Sequence, residues 1–83
     1  SNEKVRYAKG FMCTINALTV RVANTFRYRM IGYLGRKNSY LKRSGKLALT
    51  PAEQQWIINT AKELGVIQSE YFDSYIVEYN WDR

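Results

Sequence analysis

Thr50-Pro51-Ala52-Glu53 fixes the start of one helix. A threonine side chain at the cap can accept from the amide of the third helical residue. A glutamate at that third position can accept in return from the cap's own amide. Proline suits the first helical position, where its missing N–H would have had no partner anyway. Trp56, Ile57, Ala61 and Leu64 then fall on one side, and Gly65 supplies a natural stop. The pattern predicts a capped helix over 50–64. In a chain of 83 residues, which is room for one small domain over 1–83, that helix must form a main wall of the core. Ser1-Asn2 has the form of a tag-cleavage remnant and is set aside in reasoning about the fold.

What packs on this helix depends on residues 18–30. Positions 18, 20, 22, 26, 28 and 30 are apolar or aromatic, while 19, 21, 25, 27 and 29 are Thr or Arg. Alternation of this kind, rich in β-branched and aromatic residues, reads as strand. A β-hairpin over about 17–31 turning at Ala23-Asn24-Thr25 puts Val22 opposite Phe26, Val20 opposite Tyr28 and Leu18 opposite Met30. Thr19 then lies opposite Arg29, and Arg21 opposite Arg27, on the outer face. The competing period is helical. Val5, Ala8, Met12, Ile15, Leu18, Val22, Phe26, Met30 and Tyr33 recur near 3.6 residues, which allows one long helix from about 4 to 34 packed on helix 50–64. Thr19, Val20, Val22 and Thr25 are stiff side chains that weigh against it.

Elsewhere, Val5, Ala8, Met12 and Ile15 suggest a helix within 3–16, weakened by Gly10. Residues 32–49 hold three of the five glycines and read as a basic loop. Tyr75, Val77, Tyr79 and Trp81 alternate with Ile76, Glu78 and Asn80, which predicts a C-terminal strand over 74–81. The expected class is α+β, with hairpin, capped helix and final strand. The alternative is all-α.

Charge is segregated along the chain. Residues 1–49 hold eleven basic residues and one acidic, a surplus of ten; residues 50–83 hold two basic against six acidic, a deficit of four; the net charge is +6. Attraction between the halves neutralises four of the ten cations at most. The remainder favours a polyanionic partner. Arg21, Arg27, Arg29, Arg36, Lys37, Lys42, Arg43 and Lys46 are the expected phosphate contacts, with Tyr33 and Tyr40 among them and Tyr40 stacking on a base. Six phosphate contacts would lower affinity by about 10³ between 50 and 200 mM salt. The expected function is non-catalytic binding of DNA or RNA. The alternative is a small inhibitor or adaptor docking on a larger protein or nucleoprotein, with Tyr75, Tyr79 and Trp81 as the contact surface. Head-to-tail self-association also suits a chain basic at one end and acidic at the other.

Catalysis is poorly provided for. The chain has no His and one Cys, so the bases of Ser-His-Asp and Cys-His systems are missing, as are the ligands of an ordinary zinc site. No catalytic residue, metal or cofactor is expected. Glu63, Glu70, Asp73, Glu78 and Asp82 could in principle hold Mg²⁺, but nothing in their spacing joins two of them with a Lys, and they read as a solvated acidic surface. The segment from Ile57 through Gly65 to Tyr71 resembles the turn of a helix-turn-helix, yet its second helix would carry Glu70, Asp73 and Glu78 toward phosphates. Cys13, beside Phe11, Met12 and Ile15, reads as a small buried hydrophobe. A charged N-terminus, no apolar run long enough to span a membrane, and no disulfide framework together suggest a cytoplasmic setting.

Overall fold

The computed structural model describes residues 2–81, with side chains from Glu3 to Tyr79. The order is β1 (Asn2–Lys9), α1 (Met12–Ile15), α2 (Val20–Leu34), α3 (Arg36–Ser44), α4 (Pro51–Glu63) and β2 (Ser74–Trp81). β1 and β2, the two ends of the described chain, pair antiparallel from Asn2↔Trp81 to Lys9↔Ser74. The protein is α+β, with the helices held between its first and last strands.

The two strongest local signals hold. Thr50 Oγ1 accepts from the Glu53 amide at 3.2 Å, and Glu53 Oε1 accepts from the Thr50 amide at 2.9 Å. At the other end Gly65 (φ +92°) lets the Val66 amide reach back to the Ala61 carbonyl at 2.9 Å, satisfying one of the carbonyls that every helix terminus leaves unpaired. Strand 74–81 forms as expected.

The hairpin over 17–31 does not form. Those residues are mostly α2, and neither is there one helix from 4 to 34. Leu18, Val22, Phe26 and Met30 recur every four residues, which satisfies a helix face as well as a strand face. Val20 and Tyr28 decide between the two: they are 81% and 73% exposed, whereas Phe26 and Met30 are buried. Thr19 starts the helix, its Oγ1 accepting from the Val22 amide at 3.4 Å. Residues 3–16 are not a helix either. β1 alternates exposed Lys4 and Arg6 with half-buried Val5 and Tyr7, and only one short helical turn, α1, follows. The basic loop 32–49 contains α3: Gly35 and Gly45 bound that helix instead of interrupting it, at φ +88° and +89°. Beyond Gly65 no second helix appears before β2, so the resemblance to a helix-turn-helix ends at the turn, as expected from the acidic residues that follow it.

Phe11, Phe26, Met30, Leu49, Ile57, Ala61, Tyr71 and Phe72 close around Ala8 as the core. Phe11 meets Phe26 edge-to-face at 6.0 Å, and Tyr33 stacks on Trp56 at 4.2 Å, joining α2 to α4. Thr14 is fully buried but satisfied: its hydroxyl donates to the Tyr71 carbonyl at 2.7 Å and accepts from Gln68 Nε2, the side-chain amide, at 3.1 Å. The outer edge of β1 is closed at one point, where Ala8 and Leu49 exchange backbone hydrogen bonds of 3.1 and 2.7 Å. Among the described residues no helix is long and apolar enough to cross a membrane.

Candidate functional site

Helical geometry sorts the cations differently from the expected strand. At about 100° per residue, Arg27 and Arg29 point nearly opposite ways on α2. Arg29 turns to α4 and pairs with Glu63 at 2.9 Å, a contact open to solvent and of small energetic weight. Arg27 turns to α3. There it meets Arg36 and Arg43, spaced seven apart and therefore on one face of that helix. Arg27, Ile31, Arg36, Ser39, Tyr40 and Arg43 line a groove of about 140 Å³ between the two helices. Ser39, only 5% exposed, forms part of its lining. The one-residue turn at Gly35 holds α2 and α3 side by side. The Phe11 amide bonds the Arg43 carbonyl at 3.2 Å, so the far end of α3 is tied to the segment that follows β1.

Tyr40, 51% exposed, stands in this cluster. The Arg43 guanidinium lies 5.5 Å from its ring centroid and the Lys46 ammonium 5.8 Å. Among the described residues none of Arg27, Arg36, Arg43 and Lys46 is ion-paired. Arg21 and Lys37 are exposed but do not line the groove.

Lys42 is placed elsewhere. It pairs with Glu53 at 2.6 Å, and both side chains are largely screened from solvent, at 15% and 17% exposure. This contact pins α3 to the first turn of α4 and withdraws Lys42 from the outer surface. Burial alone would push the Glu53 carboxyl up; the hydrogen bonds from Lys42 and from the Thr50 amide, with the ammonium charge, outweigh it and hold the group below its ordinary 4.5. A carboxylate whose folded value is depressed stabilises the fold above its unfolded value, and that contribution fades as pH falls through the folded one. The urea midpoint of the parent should therefore drop more steeply below pH about 4.5 than that of Glu53→Gln, since glutamine keeps the capping box and loses the charge. Parallel pH profiles would show that the pair adds nothing.

The tyrosine surface at the C-terminus divides too. The Tyr75 hydroxyl donates to Glu70, its ring packs edge-on to Phe72 at 6.0 Å, and the Arg6 guanidinium sits 3.5 Å from its centroid. Burial and the Glu70 carboxylate push its phenol up to about 12. Tyr75 is thus committed to its own fold. Tyr79 stays 54% exposed beside Val77 at 53%. The side chain of Trp81 lies outside the described residues.

The carboxylates weighed for metal or acid–base chemistry have structural partners. Glu63 holds Arg29. Glu70 accepts from the Tyr71 and Phe72 amides at 2.9 and 3.2 Å as well as from Tyr75, the last of these being the main cause holding its carboxyl below the ordinary range. Asp73 accepts from the Met12 and Cys13 amides, both at 2.9 Å. Glu78 is exposed on β2, and Asp82 lies outside the described residues. Among those residues no group of three or more Cys, Asp or Glu could hold a metal ion. Cys13 is exposed and not buried, because α1 is a single turn at the surface. Partial burial and the neighbouring Asp73 carboxylate raise its thiol, which disfavours the reactive thiolate.

The chain belongs to the family of unknown function DUF6078. The match runs over residues 1–81, nearly the whole chain and therefore every element of the fold and every residue of the groove. Nothing among curated proteins or solved structures matches it.

Sequence reasoning missed Ile31 and Ser39 and, more importantly, the groove itself. The signal was present: Arg36, Tyr40 and Arg43 have helical spacing, as do Arg27 and Ile31, once 20–34 and 36–44 are read as helices.

Proposed function

We propose that this protein binds nucleic acid, without catalysing its turnover, through the groove between α2 and α3. One observation carries the reading: three guanidinium groups line a single small concavity together with Tyr40, and among the described residues no carboxylate pairs with them. Guanidinium forks match phosphate oxygens in geometry as well as charge. Three phosphates neutralised give a slope of log affinity on log salt of about −2 for a single strand and about −2.7 for a duplex. Affinity should then fall about 20- to 40-fold between 50 and 200 mM salt. That is gentler than six contacts would give, because Arg29 and Lys42 are held by acids of α4 and Arg21 faces away from α3.

The test is fluorescence anisotropy with labelled oligonucleotides across that salt range, on the parent and on Arg27→Ala/Arg43→Ala. The double variant should bind at least about tenfold more weakly, with its slope reduced to about −0.7 to −0.9. A flat salt response in the parent would defeat the proposal. We place the activity in a reducing, cytoplasmic setting, on the strength of the single unpaired cysteine.

A second reading, docking on a protein, is favoured by β2. Its outer edge carries no backbone pairing among the described residues, and Ile76, Val77 and Tyr79 are 40%, 53% and 54% exposed along it. Such an edge can accept a further strand. A defined partner that survives nuclease treatment and is lost in Val77→Arg would move the assignment to this surface.

A further inference from the structure

We infer that the groove is built for a single strand, with a phosphate held among Arg27, Arg36 and Arg43 and the adjoining base laid on Tyr40. The inference rests on the proposed nucleic-acid binding and narrows its substrate class.

Among the described residues three tyrosines have rings with aromatic or cationic neighbours, and two of those rings are filled. Tyr33 lies flat against Trp56, at 4.2 Å and 10° between planes. Tyr75 carries the Arg6 guanidinium at 3.5 Å, which is packing contact. Tyr40 differs in degree: its cations stand farther off, 5.5 and 5.8 Å from the centroid, at the outer limit of a cation–π contact, and half of the residue is open to solvent. An open ring beside unpaired guanidinium groups gains little from a duplex, whose bases stack on one another and offer only their edges. It gains substantially from an unpaired base, which presents a face, while the strand's phosphates remain free to reach the arginines.

Shape points the same way. Proteins that read duplex DNA by a helix project side chains from a ridge into the major groove. Here the cations line a concavity between two helices, of about 140 Å³. That is room for a phosphate group among the arginines, with Tyr40 in the same lining for the adjoining base.

The experiment compares oligo(dT) and oligo(rU) of about 12 nucleotides with a mixed-sequence duplex of the same length, by anisotropy at low salt. Parent, Tyr40→Ala and Tyr40→Phe are measured, each checked for folding by circular dichroism. The parent should bind at least one of the single strands about tenfold or more tighter than the duplex. Tyr40→Ala should lose about 5- to 150-fold on that strand and stay within about twofold on the duplex, whereas Tyr40→Phe should keep the preference, because stacking needs the ring and not the hydroxyl. Duplex binding equal to or tighter than both strands overturns the inference and leaves the proposed function standing. So does a Tyr40→Ala protein that binds its strand as the parent does. Binding to none of the three probes overturns both.

Discussion

Phe26→Ala is expected to cost about 3–5 kcal/mol, the range for emptying an aromatic site in a packed core. Phe26 is fully buried and meets Phe11 edge-to-face at 6.0 Å, so one truncation loosens α2 from the segment that follows β1. A chain of 83 residues has about 4–12 kcal/mol of stability in all, which makes this loss a quarter of the total or more. Urea denaturation followed by circular dichroism measures it. Val20→Ala is the matched control. Val20 is 81% exposed in the first turn of α2, and alanine is the better helix former, so the change should lie within about 0.5 kcal/mol of zero. A hairpin over 17–31 would bury both residues on one face and penalise both variants. Comparable losses at the two positions would refute the helix.

That pair of residues also shows why the sequence misleads here. Apolar groups four apart fit a strand and a helix alike, and Leu18, Val22, Phe26 and Met30 are four apart throughout. Val20 and Tyr28 tilt the reading toward a strand, yet single exposed hydrophobes are ordinary on a protein surface. The cap at Thr19 was the local clue. Around Thr50 the comparable clue came with Pro51, Glu53 and Gly65, and four agreeing signals identify a helix where one does not. β1 was hidden for another reason: its hydrogen-bond partners in β2 lie at the far end of the chain, and only the alternation of Lys4, Val5, Arg6 and Tyr7 marks it locally.

The candidate groove was legible in its composition and not in its geometry. The charge surplus of the first half predicts cations without internal partners, and Arg27, Arg36 and Arg43, beside Tyr40, are among them. Which cations act together depends on the period of the backbone carrying them. Reading 32–49 as a loop concealed that Arg36, Tyr40 and Arg43 share a face; reading 18–30 as strand put Arg21, Arg27 and Arg29 side by side when α2 sends them in three directions. Lys42 could not have been separated from its neighbours by sequence, since its pairing with Glu53, eleven residues on, depends on the tertiary placement of α3 near the start of α4.

Gly10→Ala should be the most damaging change that adds a single methyl group to this chain. Gly10 sits at φ +80°, and a Cβ there would lie 2.6 Å from Asp73 Oδ2. Backbone strain at positive φ contributes about 1–2 kcal/mol. The carboxylate cannot move aside freely, because it holds the Met12 and Cys13 amides at 2.9 Å each, while the Asp73 amide itself bonds the Gly10 carbonyl at 2.9 Å. Losing those two bonds to the Met12 and Cys13 amides adds about 0.5–2 kcal/mol, the range for a lost helix-terminal acceptor, for a total of about 1.5–4. The Arg43 carbonyl, 3.4 Å from that Cβ, is in ordinary contact and adds nothing to the loss. A double-mutant cycle separates the two contributions. In an Asp73→Ala background the obstructed carboxylate is gone, so Gly10→Ala should cost only its strain, and the two variants should be non-additive by about 1 kcal/mol. If Gly10→Ala costs the same in both backgrounds, the clash with Asp73 is not the source of the loss and backbone strain alone accounts for it.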